Sequence, residues 1–154
     1  MDIVALKTFL IHLKEKMVWD FLLNNSNYDG ALCDILWMQE DTCRYWDARW
    51  NDHKIEFKKW TSIWLDLVRY SEVVLGTTDA AKYETITLFF IPDKGKSRIQ
   101  EVFGIKTSTL IAKLWLNNEM AKTLLELHKI MPRSLNAQAS LTIKDIRMIA
   151  DFAI

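Results

Sequence analysis

The stretch WDARWNDHKIEFKKWTSIWLDLVRYSEVVLG, residues 46–76, decides how this chain is read. Trp46, Trp50, His53, Phe57, Trp60, Trp64, Leu67, Ser71 and Val74 follow one another at steps of 4, 3, 4, 3, 4, 3, 4 and 3. Such steps trace one face of an amphipathic helix. Neither glycine nor proline interrupts the run from Trp37 to Leu75. One helix over 31–75 would be about 65 Å long at about 1.5 Å per residue, longer than a compact domain of this size holds. A break is therefore expected at Asn51-Asp52, where both residues are good caps. The expected helices lie near 31–39, 42–50 and 53–75. An unbroken helix is the alternative, because the seam crosses 51–52 without losing phase.

Working outward, Ile3, Leu6, Leu10, Leu13, Met17 and Phe21 line one face of an expected helix over 3–23, capped by Asp2. The run Asn24 to Gly30 ends it with side chains that favour turns. Beyond Gly76, residues 80–91 admit two readings. Tyr83 to Ile91 is rich in β-branched and aromatic residues, as strands are. A lone strand, however, leaves its backbone groups without partners, and none is apparent in the sequence. A helix capped by Asp79 is the reading adopted, with one short strand at 83–91 as the alternative. Pro92 to Ser97 is a loop and the one candidate sub-boundary. Short helices are expected near 98–103, 107–116 and 119–131. Thr142 followed by Asp145 resembles a capping box ahead of a final helical face of Ile143, Ile146, Ile149 and Phe152.

Composition supports the same class. Only 4 glycines and 2 prolines stand in 154 residues, few for the tight turns of a sandwich or barrel. The expected fold is mainly α: a single compact helical domain of six to eight helices over 1–154. Cys33 and Cys43 lack an export context and read as reduced thiols of a cytoplasmic protein. Lys7, Lys14 and Lys16 spoil the N-terminal run as a signal peptide, and no apolar stretch is long enough to span a membrane.

With 20 basic and 20 acidic residues the formal charge is zero, so long-range attraction to nucleic acid or membrane is not expected of the whole molecule. Trp46, Trp50, Trp60 and Trp64 are the candidate partner-binding residues, because tryptophan dominates interface hot spots. The function expected first is a non-catalytic protein–protein interaction module whose partner includes the chain itself, as a homodimer. The alternative is a helix-turn-helix DNA binder built from 98–114, with Gly104 in its turn and Lys106, Thr107, Ser108, Thr109 and Lys113 facing DNA. Gln100 argues against it, standing where two helices should meet closely. Asp47, Asp52, His53 and Glu56 form a small acidic and imidazole cluster that could hold a cation or tune a base. A solvated face is the preferred account of it. No paired His or Cys spacing, nucleophile motif or glycine-rich phosphate loop is present, so neither metal nor cofactor is expected.

Overall fold

The computed structural model describes residues 2–15, 29–41, 43–59, 62–133, 135 and 137–154, the side chains of 14, 15 and 62 excepted. In chain order these residues form α1 (Ile3–Glu15), α2 (Asp29–Leu36), β1 (Gln39–Glu40), β2 (Ala48–Trp50), β3 (His53–Lys59), β4 (Ser62–Asp66) and α3 (Leu67–Val74). A 3-10 turn (Asp79–Lys82), β5 (Thr85–Pro92), β6 (Ile99–Lys106), α4 (Thr107–Lys113), α5 (Asn118–Ile130), β7 (Gln138–Thr142), α6 (Ile143–Ile149) and β8 (Phe152–Ala153) follow. The fold is mixed α/β. The mainly α helical bundle expected from the seam is wrong.

Six strands make one sheet in the order β1-β2-β3-β5-β6-β8, and β4 pairs with β7 in a second sheet of two strands. Every pairing is antiparallel except β3 with β5. The seam is thus cut into β2, β3, β4 and α3 rather than forming helices at 42–50 and 53–75. His53, Ile55 and Phe57 alternate with Lys54, Glu56 and Lys58, a period of two that a strand also satisfies. The break expected at Asn51-Asp52 is a chain reversal, with Trp50 opposite His53. Asn51 takes a left-handed φ of 52°, which asparagine tolerates better than most residues.

Within 83–91 the residues from Thr85 onward form strand, as β5, instead of the helix expected there. β5 is buried along its whole length, between β3 on one side and β6 on the other. Ile86, Leu88 and Phe90 enter a core with Leu6 and Leu10 of α1 and Leu32 and Leu36 of α2. Phe89 and Ile91 enter a second core with Leu65, Tyr70, Leu110 and Ile146. A central strand covered on both faces reads as a continuous apolar run, which is why no alternation marked it. Each fully buried side chain of this size contributes about 1.5–3 kcal/mol relative to exposure.

The helix expected at 98–103 is part of β6, so the helix-turn-helix layout does not form. Gly104 lies inside that strand, where the Phe152 ring of β8 covers it. The helices near 31–39, 107–116 and 119–131 are present as α2, α4 and α5. The capping box is present as well: the Thr142 hydroxyl accepts from the Asp145 N–H, and the Asp145 carboxylate accepts from the Thr142 N–H. Residues 16–23 of the expected first helix lie outside the described residues. Among the described residues no helix is long and apolar enough to cross a membrane.

Candidate functional site

The site arises where β2 is shorter than β3. β2 begins at Ala48, whereas β3 continues past the opposing Ile55 as far as Lys59. The next backbone N–H of β3 on that edge, at Phe57, would lack a ladder partner. The Asp47 carboxylate supplies one, accepting from Phe57 N at 2.7 Å, while the Asp47 N–H donates to Ile55 O at 2.9 Å. Asp47 is therefore held at both ends against β3.

Strand alternation sends Glu56 and Lys58 to the face opposite Ile55 and Phe57. Glu56 is buried and forms ion pairs with Lys58, at 3.0 Å, and with Arg69 of α3. Two further carboxylates stand near. Asp29 opens α2, and Glu40 of β1 lies against the next residue, Gly30, where an added Cβ would sit 3.1 Å from its Oε2.

Burial and mutual repulsion show in the acidities. Burial pushes the Asp47 carboxyl up to about 6; the Phe57 N–H and Lys58 oppose the shift, and Asp29 and Glu56 add to it. Burial raises Asp29 too, helped by Glu40 and Glu56 and opposed by Lys58. On the same helix the Cys33 thiol is pushed up to about 12 by burial, then by Glu40, Asp29 and Asp47. It stays protonated, which makes it a packing residue rather than a nucleophile. Among the described residues no three His, Cys, Asp or Glu side chains form a ready-made metal cage. What converges is two half-buried to buried carboxylates, one lysine and two flanking acids.

Of the cluster read from the sequence, Asp47 and Glu56 come together. Asp52 is exposed in the hairpin turn. His53 is buried on the opposite face from Glu56, with Nδ1 3.1 Å from Trp50 O. Lys58, Asp29 and Glu40 were missed. The Glu56-x-Lys58 spacing places both on one face of a strand, a signal the helical reading concealed.

The candidate partner residues are distributed. Trp46 is buried, its indole N–H donating to Asp41 Oδ2 at 2.8 Å. Trp50 is half-buried and stacks on Phe9 with ring centres 5.4 Å apart. Trp64 stands on β4, in the other sheet, and is 55% exposed. Trp60 lies outside the described residues. The hydroxyls proposed to face DNA make internal bonds instead: Thr107 donates to Thr85 O, Ser108 to Glu84 and Thr109 to Asp151. Lys106 donates its backbone N–H to Asp151, and Lys113 approaches Asp145 at 3.7 Å. No protein-family model matches the chain, and neither a curated protein nor a solved structure is significantly similar to it.

Proposed function

We propose that this chain is a divalent-cation-dependent phosphodiesterase, with Asp47 and Glu56 as cation ligands and Lys58 beside them. The observation that carries the reading is the placement of Asp47, just ahead of β2 and bonded to Phe57 N of β3, beside the Glu56–Lys58 ion pair, where burial and neighbouring acids push its carboxyl up to about 6. A cation relieves that repulsion. Magnesium binds through one or two carboxylates and fills its remaining positions with water and substrate phosphate, so a cage of three side chains is not required.

The chemistry follows from that arrangement. Asp47 and Glu56 would hold the cation, which would supply an acidified water and polarise the phosphoryl oxygen. Attack of that water on phosphorus would break the ester P–O bond, with the proton it releases returning through solvent to the leaving oxygen. Were Glu56 engaged by the cation, the Lys58 ammonium now paired with it at 3.0 Å would be free to meet the charge building on the phosphoryl oxygens. Arg69 keeps its hold on Glu56 and orients it, as partners behind metal ligands do.

The test is cleavage of labelled single-stranded and duplex oligonucleotides and of bis(p-nitrophenyl) phosphate. Turnover should require Mg²⁺ or Mn²⁺, stop with EDTA, and fall roughly 10²-fold or more in Asp47→Asn and Lys58→Met. Turnover indifferent to EDTA and to both substitutions, or none on any substrate with either ion, removes the reading.

A second reading, a protein-partner surface, draws on Trp64, whose neighbours Ile63 and Leu65 are buried while its own ring faces outward. It does not compete with the first, since Trp64 belongs to the other sheet.

A further inference from the structure

Beside the acidic cluster lies an open cavity of roughly 530 Å³, bordered by Trp37, Gln39, Arg49, Asp52, Lys54 and Tyr83. Its lining combines large aromatic faces with two cations. The Lys54 ammonium stands over both Trp46 and Tyr83, at 5.4 and 5.0 Å from the ring centres. Arg49 pairs with Asp41 at 2.5 Å yet keeps nearly half its side chain exposed. Among the described lining residues Asp52 is the one acid.

Trp37 is the unusual member. It is 84% exposed and takes a φ of 54° immediately after α2. That left-handed position suits glycine, and a bulky side chain there is strained. Packing does not explain the ring, because it is almost wholly in solvent. Trp115 takes the same backbone conformation after α4 with its ring 82% exposed, and backbone bonds close both helix ends, so what sets Trp37 apart is its place on the cavity rim.

The cavity and the cluster share strands. β3 carries Lys54 to the cavity and Glu56 and Lys58 to the cluster, two residues or about 7 Å further along each time. Arg49 and Asp47 repeat the relation on the facing chain. A polyanion crossing the sheet here meets the cations first and the acids next, at about the reach of one nucleotide.

We infer that this cavity binds single-stranded nucleic acid, with bases stacked on Trp37 and Tyr83 and a phosphate held by Arg49 and Lys54. The inference rests on the phosphodiesterase reading for its biological sense and names that site's substrate. Base–aromatic stacking of this kind is tolerant of sequence, and its binding is salt-dependent. Duplex is excluded from the role because its base faces are already stacked.

The test measures binding without catalysis. Fluorescence anisotropy of labelled oligo(dT) and oligo(U) is followed in EDTA at low salt, with a duplex of equal length as control. Single strands should bind more tightly than duplex, and affinity should fall with salt. Tyr83→Ala and Trp37→Gly should each weaken binding roughly tenfold. Trp37→Gly also keeps its backbone unstrained, so loss of binding by a variant as stable as the parent excludes a folding defect. Trp115→Gly, at an equally exposed left-handed position away from the cavity, should bind as well as the parent. Equal affinity for duplex, or undiminished binding by both aromatic variants, overturns the inference. A chain that binds single strands and cleaves nothing would instead sink only the catalytic reading.

Discussion

At the scale of single residues the most consequential group is the Asp47 carboxyl. Its pKa is raised to about 6, first by burial, so the carboxyl is a weaker acid than usual. A raised carboxyl binds its proton more tightly in the folded state, so its contribution to stability is complete below the unfolded value. That contribution is lost as pH rises from about 4 through about 6. The metal-free chain should therefore lose stability across this window, and a divalent cation, which binds the ionised form, should restore it above pH 6. Thermal melts at pH 4, 5, 6 and 7, with EDTA or Mg²⁺, check this. Asp47→Asn should flatten the pH dependence and abolish the Mg²⁺ response. A Mg²⁺ shift as large in the variant as in the parent would remove Asp47 from the ligand set.

Single residues also explain how so few glycines serve so many strands. Asn51, Lys96, Trp37 and Trp115 all adopt left-handed φ values between 51° and 56°. In the turn between β5 and β6, Asp93 accepts from the Ser97 N–H at 2.7 Å and from its hydroxyl at 2.6 Å. Backbone bonds close the ends of α2 and α4, from Met38 N–H to Cys33 O and from Leu116 N–H to Ile111 O, and the Asp93 side chain holds the turn after β5, so other residues fill places usually given to glycine. Counting glycines therefore misjudged the class.

At the scale of elements, the β6–β8 pair depends on one small residue. A Cβ on Gly104 would fall 2.1 Å from Cε1 of Phe152, far inside contact distance. Gly104→Ala should displace Phe152, loosen β8 and cost about 1–3 kcal/mol, the usual range for overpacking a filled site. Urea unfolding measures it, and a loss under about 0.5 kcal/mol, typical of surface changes, would contradict the packing described here. The same glycine read from the sequence as the turn of a DNA-binding motif. Its smallness serves an aromatic ring crossing a strand instead.

The β3 hairpin shows the same ambiguity on a larger element. His53 and Phe57 keep the helical spacing that runs on to Trp60 and Trp64, but His53, Ile55 and Phe57 keep strand spacing over the same stretch of β3. Local pattern alone does not separate them. β5 settles the competition by giving β3 six parallel partners from Lys54 to Lys59, which satisfies the backbone groups that an isolated strand would leave open.

At the scale of the whole molecule, two cores sandwich one sheet, with α1 and α2 on one face and β4, β7, α3, α4 and α6 contributing to the other. The two-stranded β4–β7 sheet carries Trp64 opposite Ser140 on its outer side. If this surface joins two copies of the chain, sedimentation velocity should show a dimer that Trp64→Ser converts to monomer, without a change in circular dichroism. A parent chain that remains monomeric at high concentration ends that reading. The balance of 20 basic and 20 acidic residues is consistent with such association, because it leaves little net repulsion.

The sequence by itself determined the local features. The cap of α6, the loop after β5, the break at Asn51-Asp52 and the apolar identity of Ile86 to Ile91 depend on neighbours within a few residues. It also marked Asp47 and Glu56 as one cluster. Only the tertiary structure decided that 46–66 and 83–106 are largely strand, since partners such as Phe57 and Leu88 lie 31 residues apart in the chain. Only it could add Asp29, Glu40 and Lys58 to the cluster and move His53 away. The physical reason is common to both. A helix satisfies its backbone within itself, whereas a strand, like a cation site, is completed by groups that only the folded chain brings within reach.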